Sequence, residues 1–522
     1  MTEPQQPLTR RAALEAEAGA VGRAGPPVTA VRRDQIAAVS GAPGADGAAR
    51  EPRGFTSAFS RYPRAWLFST LAVVFLLLGT GSVFAGVDFG SSRASAVVAP
   101  TPTPTPTVDP PRPVPATVAA ATHLRTCSVV ALAADPRLMT FEGSVINADT
   151  GEVLFDRAAA KPAPTASVLK TLTAAAALAT LGPDHQLTTR VYEGSTPGSI
   201  VLVGGGDPTI SAVPPGQESF YTGAPKYSDL AAQTLATWKT LQPDQPITSV
   251  VLDSTMWDPA DNWDPSWERI EQTEGSQPEI TALMVDGDRA NPSRGTSPRS
   301  TDPIGAAGKA FVAALGLDPA GVQVSQGSVQ PNAKPLAEVK SQPVRALIGQ
   351  MLPMSDNTLG EMLARVISVS VGKGGSSASL AQVIPAALAA YKLDTTGIVI
   401  KDGSGLSAND AVPPAFVAAL MAKVLAGQQN LNLIYNALPV AGKAGTLANR
   451  FTGPSAIARG QVNAKTGYIK SARTLAGIVH AKDGTNLAFA FYALGPVRSD
   501  AMTALDALTA GVFSCGNNLS NN

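Results

Sequence analysis

Apolar and polar positions divide this chain into four unequal stretches. Residues 1–64 keep no apolar period of 3.6 or 2, are dominated by Ala, Gly and Pro, and carry nine Arg against six acidic residues. That pattern predicts a disordered tail. Ala65–Ala85 then reads AWLFSTLAVVFLLLGTGSVFA, 21 residues without a charge. As a helix it would span roughly 30 Å, the hydrocarbon thickness of a bilayer. Arg50, Arg53, Arg61 and Arg64 precede it, so the positive-inside rule puts the N-terminus in the cytoplasm and everything after residue 86 outside. Val83-Phe84-Ala85 also resembles a signal-peptide cleavage site, but the 64-residue leader is too long for an ordinary n-region, which favours a retained anchor. Residues 86–120 form a linker whose Pro100–Pro115 segment, PTPTPTPTVDPPRPVP, predicts a polyproline spacer of roughly 50 Å.

Residues 121–522 carry the periodic patterns of a folded domain. Gly143–Phe155 reads as a hairpin around Asp149-Thr150-Gly151, and Val168–Leu181 as a helix stopped by Gly182-Pro183. Two strands follow in Thr188–Val203, then helix Tyr227–Leu241 and strand Ile247–Asp253. Helices Arg345–Met351 and Thr358–Val369 flank a short loop, and Gly397–Lys401 reads as a strand. Val462–Lys465, Leu475–His480 and Leu487–Leu494 predict adjacent antiparallel strands closed by helix Ala501–Leu508. Helices on both sides of a late antiparallel sheet predict a layered α/β (α+β) domain rather than a bundle.

Composition narrows the chemistry. With 522 residues, 44% hydrophobic and 15% charged, the chain can bury a large core. Forty basic and forty acidic residues cancel, which removes a general case for nucleic-acid binding. Two Cys and three His leave almost nothing for a zinc or iron–sulfur site. Cys127 opens the globular part and Cys515 closes it. Outside the cell that position favours a disulfide over two free buried thiols. His123, His185 and His480 read as structural, so a Ser-His-Asp triad is poorly supplied.

Three short motifs stand in order: Ser167-Val168-Leu169-Lys170, Ser355-Asp356-Asn357 and Lys465-Thr466-Gly467. Ser-x-x-Lys occurs a second time as Ser370-Val371-Gly372-Lys373. Only the first opens a long helix that holds Lys170 one turn from Ser167 on the same face. The second falls where a helix runs out into glycines. A serine hydroxyl becomes a useful nucleophile when a neighbouring base takes its proton. Lysine can be that base when burial and a nearby cation disfavour its ammonium form. The pattern therefore points to acyl transfer through Ser167 and Lys170.

This ordered set resembles the signature of penicillin-binding proteins and active-site-serine β-lactamases. The separation of 188 positions from Ser167 to Ser355 resembles the low-molecular-mass class C branch, the D-alanyl-D-alanine carboxypeptidase/endopeptidase family, which carries extra domains there. Gly204–Thr209, Val251-Leu252-Asp253, Asp402–Ser407 and Gly445-Thr446-Leu447 with Asn449-Arg450-Phe451 fit the same family. The resemblance implies a transpeptidase-like catalytic domain split into 121–190 and 335–516, an inserted domain at 191–334, and a tail at 517–522. It implies Ser167 as nucleophile and Lys170 as general base. Ser355 would relay a proton to the leaving amine, and Asn357 would hold Lys170. Lys465 and Thr466 would bind the substrate carboxylate, and Gly467 would let the strand approach the substrate. The backbone N–H groups of Ser167 and Tyr468 would form an oxyanion hole.

Peptidoglycan stem peptides would be the substrate, β-lactams the acylating inhibitors, and no cofactor or metal would be needed. An acidic residue of the insertion would meet the stem-peptide diamino acid. Glu268, Glu271 and Glu274 themselves read as a solvated acidic face. Rival readings are a β-lactamase or esterase on the same scaffold and a catalytically silent wall-binding protein.

Overall fold

The computed structural model describes residues 124–521. The N-terminal tail, the apolar run at 65–85, the Pro/Thr-rich linker and His123 lie outside the described residues. Among the described residues no helix is long and apolar enough to cross a membrane.

The chain enters through strand β1 (Cys127–Ser128) and a helical turn α1 (Val130–Ala133) into the hairpin β2 (Thr140–Asn147) and β3 (Val153–Arg157). Asn147 makes the hairpin turn, its Oδ1 accepting from the N–H groups of Asp149 and Thr150, a local alternative to ladder pairing. Next comes α2 (Leu169–Thr180), LKTLTAAAALAT, whose residues 169–178 are all buried. Ala and Leu favour helix strongly, and small Ala side chains let neighbouring helices close on every face.

A second sheet follows in β4 (Thr188–Glu193), β5 (Ser199–Val203), α3 (Tyr227–Leu241), β6 (Ser249–Asp253), the short α4 (Ile270–Glu274), α5 (Pro303–Ala314), β7 (Gln323–Gln326) and β8 (Pro335–Lys340). Its strand order is β7-β6-β5-β4-β8. β5, β6 and β7 run parallel, and β4 is antiparallel to both its neighbours. Tyr227, Leu230, Trp238 and Phe311 from α3 and α5 give this sheet a core of its own. The inserted sheet thus extends from 188 to 340, and β8 and the start of β4, which the resemblance assigns to the catalytic half, pair inside it.

Helices α6 (Val344–Met354), α7 (Asn357–Ser370), α8 (Leu380–Leu388), α9 (Pro414–Ala426) and α10 (Asn432–Ala437) then lead to β9 (Val462–Ile469), β10 (Ala472–His480), β11 (Asn486–Leu494), α11 (Ala501–Cys515) and β12 (Leu519–Ser520). The antiparallel order is β11-β10-β9. β2 lies along the free side of β11, where Ala148 N–H donates to the Asn486 carbonyl. Successive side chains of a strand point to opposite faces, and here both faces are covered. Leu475, Val479, Leu487, Phe489 and Phe491 pack with Leu505 and Leu508 of α11. Ala476, Ile478, Ala488, Ala490 and Tyr492 pack in the core that contains α2, α7 and α9. A sheet buried on two sides explains the unbroken apolar run of β11.

Two expectations change. Gly397–Lys401 forms only a single bridge, Val399 with Ala411, because the Asp410 side chain takes the N–H groups of Lys401 and Asp402. Within the expected tail, residues 519–520 form β12, which pairs in parallel with β1. Beside that pair Cys127 and Cys515 form a disulfide with Cα atoms 5.4 Å apart.

Candidate active site

Ser167 sits in a single 3₁₀ turn, residues 166–168, at the entrance to α2. The preceding Ala166 has φ +46°, a left-handed conformation that costs a residue bearing a Cβ about 1–2 kcal/mol. Three contacts impose it. Thr474 Oγ1 on β10 donates to the Thr165 carbonyl at 2.6 Å. A Cβ at Gly467 would collide with Thr474 Oγ1 and reach 2.8 Å from the same carbonyl, and one at Gly405 would strike the Ala166 carbonyl. Both glycines permit a close approach of backbone to backbone. The space that Gly467 leaves is filled by the turn that carries Ser167.

Lys170 lies one helical turn on and is fully buried. Its Nζ is 3.0 Å from Ser167 Oγ, 2.7 Å from Asn357 Oδ1 and 2.7 Å from the Ser404 carbonyl. Two of these neighbours can only accept, whereas the hydroxyl can also donate. The two carbonyl oxygens accept from Nζ and hold the amine against Ser167 Oγ, within reach of its proton. The arrangement can therefore draw the proton from Ser167 Oγ.

Ser355 ends α6 in the left-handed region, φ 56° and ψ 39°. Asp356 then caps α7, its Oδ1 accepting from Leu359 N–H at 2.9 Å, which satisfies one of the helix's open donors. Asn357 is the first residue of that helix and so points at Lys170. On the other side Lys465 of β9, also fully buried, donates to Ser355 Oγ at 2.8 Å and to the Thr466 carbonyl at 2.8 Å. Thr466 Oγ1 meets Thr446 Oγ1 at 2.8 Å. Tyr468 lies under the Arg473 guanidinium, 3.6 Å from ring centre to Cζ. All three sequence motifs thus converge, joined through Ser355 and Asn357.

A cavity of about 350 Å³ opens beside Ser355, walled by Met354, Asp356 and Thr446 on one side and by Phe220, Arg289 and Arg299 of the inserted segment on the other. Burial drives the Asp356 carboxyl upward, yet the Arg289 guanidinium and the Leu359 N–H outweigh it and hold it below the usual carboxylate range. Arg299 is pushed down to about 9 by burial and by neighbouring Arg289.

Behind Lys170, Asp402 accepts from the N–H groups of Ser404, Gly405 and Ser407 and from Trp267 Nε1. That charge sits against two further buried acids. Glu361 rises to about 8 through burial and then through Asp402, and Asp410 rises by the same two causes.

Several site contributors carry no mark in the three motifs. The Ser404 carbonyl lies in the Asp402–Ser407 string and Thr446 in Gly445-Thr446-Leu447, so the family resemblance hinted at both; nothing in the pattern singles out Arg289 or Tyr221. Gly204–Gly206 forms a turn after β5 in which Asp207 Oδ1 accepts from Thr209 N–H and Oγ1. Glu268 pairs with Lys470 at 2.6 Å, and Glu271 accepts from Ser276. His480 is held between Tyr435 and Asn486.

A helix-opening serine bonded to a buried lysine, with Ser-x-Asn and Lys-Thr-Gly closing around them, defines an active-site-serine hydrolase. The sequence matches the D-Ala-D-Ala carboxypeptidase 3 (S13) family over residues 126–295 and 288–512, and the chain belongs to that family of serine peptidases. Carboxypeptidase DacB of Mycolicibacterium smegmatis is 36% identical over 467 residues, covering 87% of this chain and 99% of the relative. A carboxypeptidase of Mycobacterium tuberculosis is 35% identical over 403 residues, 75% of this chain and 84% of its own. The fold is similar to penicillin-binding protein 4 (DacB) of Haemophilus influenzae, with TM-score 0.59 and 18% identity over 73% of this chain and 97% of that one. That protein has also been solved in complex with a β-lactam.

Proposed function

We propose that the protein removes the terminal D-alanine from peptidoglycan stem peptides through an acyl-serine intermediate. Ser167 Oγ attacks the carbonyl carbon of the penultimate D-alanine while its proton passes to Lys170 Nζ. The developing oxyanion is held by the N–H groups of Ser167 and Tyr468, an interaction worth about 3 kcal/mol per donor in comparable enzymes. Lys465 and Thr466 bind the terminal carboxylate. When the C–N bond breaks, a proton travels through Ser355 to the departing amine. Water then attacks the acyl-enzyme with Lys170 again taking the proton, and D-alanine and the shortened peptide leave.

The observation that carries this reading is the 3.0 Å contact between the buried side chains of Lys170 and Ser167. Incubation of the purified protein with a D-Ala-D-Ala-terminated peptide should release free D-alanine; no release would refute the reading. Penicillin should leave a long-lived adduct on Ser167, seen as an intact-mass increase. Rapid turnover of penicillin would make the enzyme a β-lactamase, and no adduct at all a silent binding protein.

We further propose a single-pass anchor at Ala65–Ala85, with the N-terminus cytoplasmic and residues 121–522 on the outer side. The apolar run and its preceding arginines support this. Fractionation of the full-length chain, with protease access from outside, tests it.

A further inference from the structure

A buried ion pair ties the inserted segment to the motif that opens α7. Asp356 Oδ2 accepts from Arg289 NH2 at 2.7 Å and from Tyr221 OH at 3.2 Å. Both donors come from the inserted segment, and the Arg289 and Asp356 side chains are 1% and 2% exposed. Arg289 is fixed in turn by its own surroundings. Its Nε donates to the Gly295 carbonyl and NH1 to the Asp286 carbonyl. Its guanidinium lies over the rings of Phe220 and Tyr221 at 4.3 and 4.6 Å.

Asp356 stands between two residues that face the reaction centre. Ser355 on one side is bonded to Lys465, and Asn357 on the other to Lys170. With its second oxygen capping α7, Asp356 cannot shift without turning both neighbours. Its conformation therefore depends on a guanidinium that lies 67 residues earlier in the sequence.

We propose that Arg289, assisted by Tyr221, is a positioning residue that sets the Ser355–Asn357 turn for proton delivery to the leaving group. The inserted segment would thus be part of the catalytic apparatus as well as a neighbour of the substrate cleft. This inference rests on the carboxypeptidase reading and on Ser355 as the proton relay. A buried ion pair is weak evidence for stability, since replacing both partners by neutral groups of similar size is often neutral, whereas removing one alone leaves an uncompensated charge. The role assigned here is in orientation.

The test uses Tyr221→Phe, Arg289→Met and the double variant Arg289→Met/Asp356→Asn, in which Asn keeps the helix cap. Each is assayed on a D-Ala-D-Ala peptide and on the matching thioester, whose thiolate departs without needing a proton. For the double variant, kcat on the peptide should fall about 10- to 100-fold, the cost of a sub-ångström to 1 Å misplacement, with KM changed less than about threefold. The loss on the thioester should be about tenfold smaller than on the peptide, because general-acid assistance contributes only where the leaving group needs it. Tyr221→Phe should show the same split more weakly.

The double variant carries the test if Arg289→Met alone does not fold. Unchanged kcat in a folded double variant, or equal losses on peptide and thioester, would overturn the inference. A wild-type protein that releases no D-alanine would instead overturn the carboxypeptidase reading, and this inference with it.

Discussion

Ser167–Lys170 and Ser370–Lys373 share the same four-residue spacing and nothing else. The first pair begins a helix buried on all sides, and its lysine finds an amide oxygen, a carbonyl and the serine within 3.0 Å. The second closes α7 at the surface, where Ser370 Oγ turns back on the Ile367 carbonyl and Lys373 is exposed. Spacing brings two side chains to one face. Burial and the polarity of the neighbours decide whether an amine there acts as a base or stays a solvated cation.

The contrast can be broken most directly at the serines. Ser167→Ala should cut D-alanine release by on the order of 10⁴-fold or more and abolish the penicillin adduct, as removal of a nucleophile does elsewhere. Ser370→Ala should leave both unchanged, measured by D-alanine assay and intact mass. The next effect concerns the contacts that force the first turn into shape. Gly405→Ala should lower kcat/KM by about 10²-fold through displacement of Ser167, whereas Gly374→Ala, beside the second pair and with open space where the added methyl would sit, should leave kcat/KM unaltered.

A smaller effect lies in pH. Folding raises the Glu361 carboxyl to about 8, so between its unfolded value near 4.5 and about 8 the folded state holds a proton that the unfolded chain releases. Stability from this group therefore falls as pH rises through that window and is constant above it. Melting temperature should decline from pH 5 to pH 8, and Glu361→Gln should flatten the decline; an unchanged slope would exclude the group. Last, Lys373→Ala should alter stability by no more than about 0.5 kcal/mol, read from denaturant melts.

Much of this was legible in residue order because the physics is local. The Ala/Leu run of α2, the glycine that stops it, and the unbroken apolar run of β11 each state their structure within a dozen residues. The three motifs are legible for the same reason, and the fold brings them within hydrogen-bonding distance. Arg289 and Tyr221 were invisible because their meaning depends on a partner in another segment, and an arginine in a loop reads as solvated until that partner is known. Gly397–Lys401 misled because an aspartate side chain replaced the neighbouring strand. Pro414–Ala426, PAFVAALMAKVLA, was not predicted as a helix, since a segment apolar on nearly every face offers no amphipathic period to read.

The bridge between Cys127 and Cys515 encloses Ser167, Lys170, Ser355, Lys465 and the whole inserted sheet in one covalent ring. A single peptide cleavage anywhere from 128 to 514 therefore opens the ring without releasing a fragment. Such nicked molecules would migrate as one band until a reductant separates them into two. On the proposed outer side of the membrane, where proteases are common and reductants scarce, one cut would linearise the ring yet leave both pieces of the chain covalently attached.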